Sequence, residues 1–138
     1  MGMAKETMEK LIDAASVSIV SSVDEEGFPN TKAMLPPRKR EGLKDFYFTT
    51  NTSSMRVGQY EKNPKACLYF YDKRFFRGIM LVGAMSVLTD RKTKELIWRE
   101  GDTTYYPQGV ADPDYCVLKF TADKIRVYQN FHSETVAL

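Results

Sequence analysis

Met8, Leu11, Ile12 and Ala15 recur at the i, i+3, i+4, i+7 spacing of one helix face, which predicts a short amphipathic helix over about residues 4–15. From Ser16 the period changes to two. Val17, Ile19 and Val23 alternate with serines, "DEEG" supplies a turn, and "FPNTKAML" reads as the returning strand of a hairpin. "PPRKREG" then interrupts the pattern before "LKDFYFTT" resumes as a third strand. "NTSSMRVGQYEKNP" predicts a short helix, capped at Thr52 or Ser53, with Val57 and Tyr60 on its apolar side and Pro64 as its stop. "KACLYFYD" and "FFRGIMLVGAMSVLTD" read as two more strands, the second bending near Gly83. Asp90 is placed to cap a helix in "RKTKELIWRE", with Leu96, Ile97 and Trp98 on its apolar side and Gly101 as terminator. Beyond the irregular "DTTYYPQGVADPD", the strands "YCVLKFT" and "KIRVYQNF" suggest a last hairpin turning at Ala122 and Asp123. About seven strands and three short helices result, joined by turns that favour antiparallel pairing.

The 138 residues suit one domain, 1–138, and a composition that is 43% hydrophobic and 28% charged belongs to a globule. Twenty Lys and Arg against eighteen Asp and Glu leave a formal charge of +2, too balanced for nucleic acid as the main partner. Arg38, Lys39 and Arg40 accordingly read as a solvated loop. No apolar run approaches the ~18 residues of a membrane span, and the first fifteen residues show no signal-peptide pattern, so a cytoplasmic protein without a membrane partner is expected. Cys67 and Cys116 lack the spacing of a zinc site or redox pair and read as reduced, buried hydrophobes. With one histidine, His132, neither a metal centre nor serine hydrolysis has its parts. None of the eight glycines builds a GxGxxG or Walker A loop.

The informative stretch is "FTTNTSSMR", residues 48–56, where a strand gives way to a helix. A helix start carries unpaired backbone N–H groups and partial positive charge. Thr49, Thr50, Asn51 and Ser54 add neutral donors there, and Arg56 adds a guanidinium fork suited to phosphate. Lys32, on the preceding strand pattern, is a second cation. Together they read as a phosphate cradle; the plainer alternative is a helix cap beside a solvated arginine.

The succession "GFPNTKAML" and "FYFTTNTSSMRVGQYEKNPKACLYF" resembles the FMN-binding split barrels of the pyridoxamine 5′-phosphate oxidase superfamily. The resemblance implies a mainly β (α+β) fold, an antiparallel six- to seven-stranded split β-barrel of Greek-key type with short flanking helices. By position, Lys32 stands where the family usually has its phosphate arginine, Thr49 and Thr50 stand at a Tyr-Thr pair, and Met55 and Arg56 at an Arg-Lys pair preceded by Ser54. The backbone through Lys32, Ala33, Met34 and Leu35 would run along the flavin ring. Met55 in place of a basic residue, and Pro37 where lysine is common, depart from the pattern.

The ending "KIRVYQNFHSETVAL" lacks the Arg-rich, Trp-containing segment with which the vitamin B6 oxidases grip pyridoxal phosphate. "KELIWREG" followed by "YYPQGVADPDYCVLKF" is instead similar to the general-stress-protein subgroup. The resemblance implies FMN, with FAD or a deazaflavin as alternatives, and flavin-dependent oxidoreduction with an unnamed small-molecule donor and acceptor. It also implies a homodimer with flavin sites at the interface, where Trp98, Tyr105 or Tyr106 of the partner approaches the ring. The rival readings are a flavin store or sensor without turnover, and a haem-binding split barrel using His132.

Overall fold

The computed structural model describes residues 2–138. Helix α1 (Lys5–Ala14) buries Met8, Leu11 and Ile12, the stripe read from their spacing. The hairpin follows as β1 (Ser18–Val23) and β2 (Pro29–Met34), and the Asp24 carboxylate closes its turn by accepting from the N–H groups of Glu26 and Phe28. A three-residue strand, β3 (Lys39–Glu41), pairs with β4 (Asp45–Asn51), which leads into helix α2 (Met55–Lys62). Strands β5 (Lys65–Asp72) and β6 (Arg77–Leu88) form the next hairpin. After α3 (Arg91–Ile97) and two 3-10 turns come β7 (Tyr115–Gln129) and β8 (His132–Ala137).

The strands lie in the order β2-β1-β5-β6-β7-β4-β3, every pairing antiparallel, with β8 also against β7. A flat sheet would hold β4 three strands from β5, about 14 Å away. Phe46 of β4 and Phe70 of β5 instead stack with ring centroids 6.3 Å apart. The sheet is therefore rolled, and Val20, Phe48, Leu68, Ile79, Leu81, Leu118 and Phe120 share one core with the α1 stripe. This is the split barrel. Strand β4 is buried on both faces, since Phe46 and Phe48 enter that core while Tyr47 joins a second cluster with Ile97, Tyr106, Tyr115 and Val117. Double burial explains why "FYF" lacks polar alternation.

Five expectations are corrected. Ala122 and Asp123 are no hairpin turn, because β7 runs straight through them and turns only at Asn130 and Phe131, both with positive φ. The polar break is real but marks a bulge: Val82 faces Lys124 and Gly83 faces Ala122, leaving Asp123 without a partner on β6. At that point β7 exchanges its other neighbour, pairing with β4 up to Thr121 and with β8 from Lys124. Secondly, the basic loop is not simply solvated. Arg40 pairs with Glu9 and Asp13 on α1, and Arg38 is a buried ion-pair partner, while only Lys39 is exposed and free of such a contact. The N-cap of α2 is Ser54, whose hydroxyl accepts from the Arg56 N–H, rather than Thr52 or Ser53. Helix α3 ends at Ile97, and Gly101 takes its left-handed φ of 94° in the following turn. Cys116 is buried as expected, whereas Cys67 is half-buried.

Candidate functional site

Strand β2, the end of β4 and the start of α2 converge on two adjoining clefts. The first, about 200 Å³, is lined by the run Lys32 to Pro36, by Thr49 and Thr50, and by Tyr105 and Tyr106. The second, about 560 Å³, opens toward α2 and is lined by Asn30, Thr31, Ser53, Ser54, Met55 and Gln59 among others. Lys32, Thr50, Asn51 and Arg56 line both and form the wall between them. No Asp or Glu lines either cleft, whereas Lys32, Arg38 and Arg56 do, so the surroundings favour an anion.

Of the residues picked from sequence, Lys32, Ala33, Met34, Leu35, Thr49, Thr50, Asn51, Arg56 and Tyr106 line the first cleft, and Ser54 and Met55 line the second. Trp98 lines neither. It packs behind the site, its ring 6.2 Å from Tyr106 and 5.3 Å from Tyr115. Tyr106 reaches the cleft from the same chain as Lys32, supported by Tyr115 at 4.7 Å. Burial pushes the Tyr106 phenol above its ordinary pKa and Tyr115 up to about 12, and the Tyr115 hydroxyl donates to the Lys94 carbonyl at 2.6 Å.

The donors of residues 48–56 divide into two groups. Asp114 takes the loop: its carboxylate accepts from Asn51 Nδ2 at 2.7 Å and the Ser53 N–H at 2.8 Å, and its backbone carbonyl accepts from the Thr52 N–H. Those bonds, the Ser53 N–H first, hold the Asp114 carboxyl below the usual carboxylate range. Ser54 serves the helix cap. What remains for a ligand is Lys32, Thr50 and Arg56. Arg56 donates one Nη2 bond to the Thr50 hydroxyl at 3.3 Å, but its Nε is buried without a partner. A buried donor left unpaired costs about 1–3 kcal/mol.

Sequence reasoning missed Arg38. Its guanidinium makes a bidentate pair with Asp102 at 2.7 and 2.8 Å and also donates to the Ile97 carbonyl. The Asp102 carboxylate further accepts from the Arg99 N–H, while Arg99 Nη2 donates to the Arg38 carbonyl. These bonds strap residues 97–106, and with them both tyrosines, onto the segment leading into β3. The only available signal was a lone acid in "GDTT" sixty-four residues downstream, which no spacing rule connects to Arg38.

A family model described as pyridoxamine 5′-phosphate oxidase matches residues 4–129, and the chain belongs to that family. A solved protein related to general stress protein 26, from Clostridium acetobutylicum, is 39% identical with a TM-score of 0.87, over 99% of this chain and 97% of that one. General stress protein 26 of Bacillus anthracis shares the fold at 22% identity and a TM-score of 0.77, over 97% and 98% of the two chains. A pyridoxine/pyridoxamine 5′-phosphate oxidase of Legionella pneumophila is 31% identical over 75 residues, 54% of this chain and 34% of the oxidase, so the chain spans about a third of that relative's length. Among the described residues no helix is long and apolar enough to cross a membrane.

Proposed function

We propose that the chain binds a flavin by its phosphate, FMN in the simplest case, and acts as a flavin-dependent oxidoreductase rather than a vitamin B6 oxidase. The grouping of Lys32, Thr50 and Arg56, which line both clefts with no carboxylate among the lining residues, carries the reading. Membership of a family whose characterised members are generally flavin-binding supports it. A phosphate of about −1.5 to −2 charge suits two cations and a hydroxyl. The ring side would lie along residues 32–36 and beneath Tyr105 and Tyr106. A bound flavin supplies hydride and single-electron transfer to small-molecule partners; the chain orients it, donates hydrogen bonds and keeps out water.

Fluorescence titration tests this. FMN should bind at least tenfold tighter than riboflavin, and Arg56→Ala should weaken FMN by about 10- to 100-fold while leaving riboflavin unchanged, as expected for losing a charge-assisted bond of roughly 1.5–3 kcal/mol. Equal affinity for the two flavins, or none for either, overturns the phosphate site. Oxidation of a reduced nicotinamide by the loaded protein separates an enzyme from a store or sensor.

A second copy of the chain belongs to the same reading. A cleft of about 200 Å³ falls below the roughly 300–1,000 Å³ that encloses a ligand of this size, so one chain covers only part of the ring. Tyr69, Tyr71, Phe75 and Phe76 of the β5–β6 hairpin form an exposed aromatic face suited to self-association. Sedimentation of the flavin-loaded protein should give a dimer, and Tyr71→Asp should shift it toward monomer. A monomeric loaded protein contradicts this.

A further inference from the structure

We propose that Asp114 restricts the site to a single phosphate, admitting the terminal monophosphate of FMN and rejecting the diphosphate bridge of a dinucleotide; the inference rests on the flavin reading above. Lys32, Thr50 and Arg56 form a position for one phosphate in the wall between the clefts. A second phosphate on the same ligand would have to continue along that wall into the larger cleft. The next side chains there are Asn51, Ser53 and Ser54, and Ser54 is spent on the helix cap. On the other two the chain has placed an anion of its own.

Asp114 stands immediately before β7. One of its carboxylate oxygens accepts from Asn51 Nδ2 at 2.7 Å and the other from the Ser53 N–H at 2.8 Å, and the Ser53 hydroxyl turns to the same carboxylate. Among the described residues no Lys or Arg makes an ion pair with Asp114, so neutral donors alone hold its charge. The carboxylate thus lies one hydrogen bond behind Asn51, which lines both clefts. A second phosphate arriving there finds the donors taken, no cation to balance it, and a like charge close by. The first phosphate keeps Lys32 and Arg56. The loop itself does not hang on this carboxylate alone: the Thr52 N–H donates to the Asp114 backbone carbonyl at 2.8 Å, and Asn51 pairs with Tyr115 in the β4–β7 ladder. Asp114→Asn therefore removes the charge and leaves those backbone bonds in place.

Calorimetric titration of the full chain with riboflavin, FMN and FAD, before and after Asp114→Asn, tests the restriction. The unsubstituted protein should bind FMN about tenfold tighter than FAD, and the substitution should bring the two within about threefold by tightening FAD while FMN stays where it was. A gain of FAD affinity is the deciding signal, because damage to the loop can only weaken binding. FMN and FAD weakening together in Asp114→Asn would show a carboxylate that merely shapes the loop, and overturns the proposal. So does FAD binding as tightly as FMN before the substitution. In both of those cases FMN binding more tightly than riboflavin leaves the flavin reading intact. Silence from all three ligands overturns both.

Discussion

Gly83→Ala is expected to destabilise the fold severely. A Cβ at this position would lie 2.0 Å from the Thr121 carbonyl oxygen and 2.9 Å from the Ala122 Cα, and both are backbone atoms. Unlike a side chain, neither can swing away, so relief requires β6 and β7 to part where the bulge already leaves Asp123 unpaired. We expect a loss of more than about 3 kcal/mol, the severe end of overpacking, out of a total of roughly 5–15 kcal/mol. Gly78→Ala provides the contrast, since its Cβ would meet chiefly the Tyr69 hydroxyl, at 2.2 Å. That ring is 39% exposed and can move outward, so the cost should stay within about 1 kcal/mol. Urea unfolding followed by circular dichroism separates the two, and a stable Gly83→Ala protein would refute the close approach.

Asp102→Asn should be nearly as damaging and should also reach the site. The side chains of Arg38 and Asp102 are only 10% and 5% exposed, so the substitution leaves a buried guanidinium without its counter-charge. Breaking such a pair costs about 3–5 kcal/mol, visible as a fall in Tm of about 10 °C or more. Arg38 and Tyr106 line the ring-side cleft, so riboflavin affinity should fall together with FMN affinity, unlike the phosphate-selective loss in Arg56→Ala. The pH dependence has a definite sign. Arg38's hydrogen bonds, opposed by burial, hold the Asp102 carboxyl below its ordinary value. Its contribution is therefore fully present above the unfolded carboxyl pKa of about 3.9 and drains away as pH falls through the folded value. Asp102→Asn should flatten that acid limb while lowering stability at pH 7. An unchanged limb would show that Asp102 does not contribute to it.

What could be read in advance depended on how local each cause was. The α1 stripe, the first hairpin and the capping of α3 by Asp90 all rest on residues within a few positions of one another, and all appear in the structure. Period and turn chemistry act at that range. Asp123 was legible as an interruption but not as a bulge, because a polar residue inside an apolar strand marks either one. The strap between Arg38 and Asp102 spans sixty-four residues and exists only once the barrel has closed. Likewise, Asp114 captures the Asn51 and Ser53 donors only because β7 begins beside the end of β4, with Tyr115 opposite Asn51. Residues 48–56 therefore carried the position of the cradle in their own sequence, whereas the choice of donors left free was made from sixty residues away.

The exchange of partners along β7 gives the barrel two independent clocks. Residues 117–121 lie between β6 and β4, and β4 carries Thr49 and Thr50 into the site, so their amides should exchange with deuterium only when most of the fold opens. Residues 124–128 have β6 on one side and, on the other, β8, whose six residues are all exposed. Opening of β8 can release amides there while the clefts stay shut. One continuous strand thus separates the breathing of an edge from the rigidity that a ligand site requires.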